Sequence, residues 1–283
     1  MRATIILLAL ASLTACGSKP ETANEAGAEA VPAALVFDGA DYKDDAAKLA
    51  HGKRLTLVLG CTACHGDKLQ GRNVSADDPE YGDMNAPNIT LLLDKYSDAD
   101  FDRLLRHGTP KDGREFWFMP VESYQFLSDA DLAALVAYLR SLKPEGEQLP
   151  PIRKGKGFNE EVEKGLFANA AAQTKRYAAE APVDMGLQHA RGMGLARTVC
   201  TGCHNSKLQG YEGFTPDLDL AGAYSPEELE TLLTTGKGKS KPDLGLMKSI
   251  ALSSLSKLTP GERQALIAYL LARANRPQPA GAN

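Results

Sequence analysis

Two pentapeptides constrain this chain more than anything else in it: Cys61-Thr-Ala-Cys64-His65 and Cys200-Thr-Gly-Cys203-His204. Two thiols three residues apart, followed at once by an imidazole, form the attachment signature of c-type haem. The spacing lets both thiols form thioethers with the vinyl groups of one porphyrin, while the adjacent imidazole lies beneath the ring and ligates iron. Cys61, Cys64 and His65, and again Cys200, Cys203 and His204, are therefore expected to hold two covalently attached haem c groups, with His65 and His204 as iron ligands. A zinc ribbon also pairs two C-x-x-C motifs, but about 15–20 residues apart. Here 135 residues separate Cys64 from Cys200. A thioredoxin-like redox centre needs one such pair and no histidine after it.

The motifs sit in an internal repeat. CTACHGDKLQG at 61–71 and CTGCHNSKLQG at 200–210 agree at eight of eleven positions. APNIT at 86–90 parallels TPDLD at 215–219, and LVAYLRSL at 135–142 parallels LIAYLLAR at 266–273. Each copy reads as helical. Ser97, Ser128, Ser225 and Thr259 each precede an acid by three residues, the sequence signature of a capped helix start. Pro226 and Pro260 occupy first helical positions, where a missing N–H costs nothing. The closing helices carry apolar stripes at Leu132, Leu135, Val136 and Leu139, and at Leu266, Ile267 and Leu270, which read as core. Helices over about 45–60 and 183–199 precede the two motifs. The fold expected is all-α, two tandem helical domains each built around one haem.

A haem iron with one protein ligand is either reactive or awaits a second. Met119 lies 22 residues after Ser97, and Met247 lies 22 residues after Ser225. Thioether sulfur favours reduced iron and raises its potential, so Met119 and Met247 are the expected sixth ligands. Met84 competes in the first copy, without a counterpart in the second. Met185 and Met193 read as packing, and His51 and His189 as surface or packing residues rather than ligands. His107, Arg106 and Arg114 are candidates to face a haem propionate, against the commoner outcome of solvated side chains.

On CTACH, APNIT, DGREFWFMP and LSDADLAALVAYLRSL in copy one, and CTGCH, the Met247 loop and LTPGERQALIAYL in copy two, both copies resemble class I cytochrome c domains. The resemblance covers roughly residues 45–275. The whole looks like the periplasmic dihaem cytochromes c that serve membrane-bound dehydrogenases and respiratory chains. It departs from the pattern at Lys248, where proline follows the first copy's methionine. The resemblance implies that a proline carbonyl, of Pro87 and of Pro216, orients each proximal histidine. A plain turn would place the same prolines there.

The N-terminus carries an export signal: Arg2, then the apolar run Ile5-Ile-Leu-Leu-Ala-Leu-Ala. Leu13-Thr14-Ala15-Cys16 looks like a bacterial lipobox, in which Cys16 becomes the lipid-bearing first residue. Ordinary signal cleavage near residue 20 would instead discard Cys16. The expected organisation is a signal peptide over 1–15, a lipidated flexible tether over 16–44, and cytochrome c domains over 45–146 and 182–276. A linker over 147–181 joins them, and a disordered tail covers 277–283. The protein is expected in the periplasm, lipid-anchored, with Gly17 favouring the outer membrane.

Net charge is −4 with a pI near 5.8, which gives no case for nucleic-acid binding. Residues 45–146 carry 12 basic and 16 acidic groups, and residues 182–275 carry 10 and 9. Lys237, Lys239, Lys241 and Lys248 cluster around Met247, either to steer an acidic partner or simply to solubilise the loop. Nothing in the chain reads as a substrate site with an acid, base or nucleophile. The expected function is electron transfer between redox partners: a donor dehydrogenase and an acceptor oxidase or small cytochrome. The alternative is a dihaem cytochrome c peroxidase, in which one iron would lack its sixth ligand.

Overall fold

The computed structural model describes residues 35–277. The signal peptide, the lipobox with Cys16 and all but the first residue of the expected tail lie outside the described residues.

The fold is helical. Helices α1 (Asp45–Val58), α2 (Cys61–His65), α3 (Asp98–His107), α4 (Val121–Tyr124) and α5 (Asp129–Arg140) build the first copy. Helices α6 (Lys156–Glu163) and α7 (Ala170–Ala179) lie between the copies in sequence. Helices α8 (Ala190–Val199), α9 (Thr201–His204), α10 (Pro226–Thr235), α11 (Leu246–Ser253) and α12 (Pro260–Ala274) build the second copy. The strands are two-residue pairs. β1 (Arg72–Asn73) runs antiparallel to β3 (Asn85–Ala86), and β2 (Gly82–Asp83) to β4 (Arg153–Lys154). The helix expected over 183–199 begins only at Ala190, because Gly186 in a left-handed backbone (φ 85°) admits a single 3-10 turn before it.

Each copy is held by one crossing of its first and last helices, α1 on α5 and α8 on α12. A glycine sits at each crossing. A Cβ on Gly52 would lie 2.0 Å from the carbonyl oxygen of Ala134, and one on Gly192 would lie 2.2 Å from that of Ala265. Tyr138 and Tyr269 close over these glycines from the partner helices. The expected stripes on α5 and α12 are buried in the core. Ser97, Ser225 and Thr259 form full capping boxes with Asp100, Glu228 and Glu262.

Ser128 caps α5, but its acid is diverted. Asp131 accepts from the backbone N–H of Phe37 (3.1 Å) and contacts buried His51 (2.7 Å). The diversion exposes a correction to the tether expected over 16–44. Residues 35–38 form a strap: Leu35 pairs with the backbone of Phe126 and Ser128, and Phe37 is only 1% exposed. Asp38 then crosses to the second copy, where its N–H donates to Glu262 (2.8 Å) and its carboxylate meets Arg191 (2.6 Å). Arg54 of α1 completes the junction with a 2.8 Å ion pair to Glu262. The alternation of Leu35 and Phe37 is the only sequence sign of the strap, and it is too short to stand out from the Ala-rich stretch before it.

Residues 147–181 are packed on both copies. Phe158 is fully buried beneath Tyr81 and Trp117, and Phe167 stacks on Phe118 at 5.7 Å between ring centres. Further on, Tyr177 reaches the second copy, with its hydroxyl 3.1 Å from that of Tyr211, while Arg197 donates to the Tyr177 carbonyl. No helix among the described residues is long and apolar enough to cross a membrane.

Candidate functional site: a paired histidine–proline anchor

The two C-x-x-C-H motifs fold alike. Each wraps into a single helical turn directly after the first helix of its copy, α2 after α1 and α9 after α8. That turn puts both thiols and the imidazole on one short segment. The four cysteines are free thiols rather than disulfides. Burial pushes Cys61 and Cys200 up to about 12, and raises Cys64 and Cys203 as well. Burial thus favours the protonated thiol at these positions, the opposite of the exposed, electropositive setting that activates an exchange thiolate.

Both histidines are buried, and both are oriented from behind. His65 Nδ1 lies 2.8 Å from the carbonyl of Pro87, and His204 Nδ1 lies 2.9 Å from that of Pro216. A carbonyl only accepts, so Nδ1 carries the hydrogen and donates it. Burial also lowers both histidines below the ordinary imidazole value, with the proline hydrogen bond opposing it. The result in each copy is a neutral ring with its Nε2 lone pair bare, the form that ligates a metal.

Backbone geometry explains how the proline carbonyl arrives. Gly71 and Gly210 take left-handed conformations (φ 84° and 77°), and their N–H groups bond back to the carbonyls of His65 and His204. A Cβ on Gly71 would lie 2.5 Å from the Ala86 carbonyl oxygen, and one on Gly210 would lie 2.1 Å from that of Thr215. Only glycine lets the loop after the motif close on the loop that carries the proline. Leu69 and Leu208, buried and also left-handed (φ 58° and 62°), receive the returning chain at their carbonyls. The strict match of KLQG in both copies was the signal for this turn.

Met119 and Met247 are half-buried, and both pack on the apolar core that Cys61 and Cys200 also join. Met119 follows Phe118, a non-glycine residue in a left-handed backbone (φ 72°), and precedes α4. In α4, the Tyr124 hydroxyl donates to the Leu59 carbonyl just before Cys61 (2.8 Å), which ties the methionine side of the first copy to its attachment helix. Met247 occupies the first turn of α11. Met84 is fully buried next to the β1–β3 pair.

The secondary candidates each meet a carboxylate of the chain. Arg106 pairs with Asp102 and Asp129, Arg114 with Asp112, and His107 is 64% exposed beside Asp102. Of the lysines around Met247, Lys239 pairs with Glu228 and Lys248 with Asp243, while Lys237 and Lys241 are exposed.

A neutral histidine with a bare Nε2, two protonated thiols on the same turn and an adjoining apolar core fit haem c. They do not fit a bare metal ion, since no three His, Cys, Asp or Glu side chains converge among the described residues.

Comparison with known proteins gives the same answer. The chain is 27% identical over 270 residues to a nicotinate dehydrogenase subunit of Pseudomonas putida, covering 84% of this chain and 22% of that protein. It is 23% identical over 251 residues to the fructose dehydrogenase cytochrome subunit of Gluconobacter japonicus, covering 78% of this chain and 52% of that one. It is 25% identical over 256 residues to a diheme cytochrome c-type protein of Cereibacter sphaeroides, covering 78% and 84%. The chain thus spans from about a fifth to about half the length of the first two relatives. The sequence profile of the Cytochrome c family matches residues 49–143 and 189–273, one segment in each copy. The chain belongs to the cytochrome c family.

Proposed function

We propose that this protein is a dihaem electron carrier of the periplasm, anchored by lipid at Cys16, that accepts electrons from a dehydrogenase and passes them to an oxidase or a small cytochrome. The observation that carries the two-haem reading is the duplicated anchor: His65 on Pro87 and His204 on Pro216, at 2.8 and 2.9 Å. Cys61 and Cys64 in the first copy, and Cys200 and Cys203 in the second, would hold the porphyrins. His65 with Met119 and His204 with Met247 would ligate the irons. Haem ligated in this way supplies one-electron chemistry without an open coordination position.

The residues around it do the rest. The proline carbonyls fix the imidazole rings and raise their basicity as ligands. The half-buried methionines and the core around them limit access of water. The relatives named as cytochrome subunits of dehydrogenases support the choice of donor class. A peroxidase would need one iron lacking its methionine, and the matched placement of Met119 and Met247 favours the carrier. The lipobox supports the anchor, and the export signal supports the compartment.

Two measurements test the reading. The alkaline pyridine spectrum counts covalent haems per chain, with two expected. The reduced protein should then leave carbon monoxide unbound. A single haem, or carbon monoxide binding to the unaltered protein, would overturn it.

A further inference from the structure

Arg273 stands out as the largest fully buried side chain, at 1% exposure. It comes from the last turn of α12 and reaches two loops at once. Its Nη1 donates to Asp217 at 2.9 Å and also to Asp219, while its Nη2 donates to the carbonyls of Lys207 (3.2 Å) and Leu208 (3.3 Å). Those loops flank His204. Lys207 and Leu208 lie in the turn that follows the second attachment motif, and Asp217 follows Pro216, whose carbonyl holds the ring. The first copy ties down its proline loop by other chemistry. Asn88, which follows Pro87, donates to the carbonyls of Glu145 (2.8 Å) and Glu147 (3.3 Å), and the position equivalent to Arg273 is Leu142. A buried arginine is expensive, and here its Nε–H has no partner among the described residues. The first copy avoids that cost with the half-buried Leu142.

We propose that Arg273 is a positioning residue for the second haem site: its guanidinium clamps the two loops that flank His204 and, with Arg276, neutralises Asp217 and Asp219 beside the proximal ligand. This rests on the reading of His204 as an iron ligand. Two arginines and two aspartates make the cluster neutral, with Arg276 bonded to Asp219 at 2.7 Å. Taking away one arginine leaves a net negative charge near an iron that is more positive when oxidised, so the oxidised form gains and the potential drops. Taking away one aspartate does the reverse. Asp217 is 41% exposed on its side chain, so solvent and salt screen part of the effect.

The test is a potentiometric titration of the holoprotein at low ionic strength. The midpoint of the second copy is identified as the one that Met247→His moves. Arg273→Leu should lower that midpoint and broaden the ferric electron-spin signal of the same haem, leaving the first copy's midpoint in place. Asp217→Asn keeps the acceptor for Arg273 and should raise it. Arg273→Lys, which restores the charge but not the fork, should return the midpoint towards the unaltered value. If Arg273→Leu matures with one covalent haem while Arg273→Lys carries two, the clamp is supported. Asp217→Asn then decides the charge term. Two covalent haems with unmoved midpoints in Asp217→Asn and Arg273→Leu would overturn the role of Arg273 alone. Fewer than two haems in the unaltered protein would overturn the reading beneath it.

Discussion

Ser123 in the short helix after Met119 places its hydroxyl 3.2 Å from that of Thr201, the residue that follows Cys200. Thr201 donates to the Arg197 carbonyl at 2.6 Å, so it accepts from Ser123. The reciprocal contact runs from Ser254, beyond Met247, to the carbonyl of Val58 at the end of α1, at 2.6 Å. Each copy's methionine side thus rests on the other copy near its attachment motif, on α9 in one direction and on the end of α1 in the other. The copies share one interface rather than hanging from a linker.

Thr201→Val tests that interface. Both hydroxyls are buried, so the substitution strands the Ser123 donor and the Arg197 carbonyl. Each unpaired buried group costs about 1–3 kcal/mol. Urea unfolding followed at the haem absorbance should shift to lower denaturant. An unchanged midpoint would mean that the two hydroxyls are not coupled.

The helix crossings give a prediction opposite to the usual rule. Glycine to alanine inside an exposed helix stabilises by about 1 kcal/mol. At Gly52 the new Cβ would stand 2.0 Å from a backbone oxygen of α5, so α1 and α5 must separate. Gly52→Ala and Gly192→Ala should each destabilise by about 1–3 kcal/mol or more, as overpacked cores do. The haem-loaded yield of purified protein, together with thermal unfolding, measures it.

Short-range signals were what the sequence carried well. The motifs, the capping acids and the apolar stripes are local, and each specifies its own few residues. Met119 and Met247 are singled out as candidate ligands only by comparing the copies. What stayed hidden depends on pairs distant in sequence. Gly52 and Gly192 look like weak helix residues until Ala134 and Ala265 are seen against them. Asp131 looks like the acid of a capping box, yet the strap at Phe37 takes it. Arg273 reads as an ordinary basic residue in a last helical turn, where a cation favours the helix dipole. Only the folded chain brings Asp217 and Leu208 to it.

Glu122 supplies a pH dependence. It is buried in α4, and burial pushes its carboxyl up to about 7, with Arg176 of α7 opposing. The unfolded chain titrates near the free value of about 4.3. Between those two values the folded state binds more protons than the unfolded one, so stability falls as pH rises and the loss is complete above about 7. The difference corresponds to roughly 4 kcal/mol. Glu122→Gln should flatten the decline, leaving stability at pH near 5 little changed and raising it near pH 8. Denaturant titrations at the two pH values give the answer, and parallel curves for both proteins would refute it.

Cys16→Ala should release the protein from membranes without altering its haem content. Two acyl chains on one residue give stable anchoring where a single chain does not. Fractionation in high salt separates lipid anchoring from electrostatic adsorption. A Cys16→Ala protein that stays with the membrane would remove the lipid from the account.

Met247→Ala should open one iron and leave the other closed. The thioether favours reduced iron, so the potential of that haem should fall. The sulfur-to-iron charge-transfer band in the far red should shrink by about half, because Met119 still serves the first copy. Carbon monoxide should then bind one site per chain. Met119→Ala should do the same at the other haem, and the double variant should lose the band and bind two. Should Met247→Ala lose its haem, Met247→His keeps a strong ligand of different softness and should abolish half the band without carbon monoxide binding. A band untouched by either substitution would make Met247 a packing residue, and the second iron would need another ligand or none.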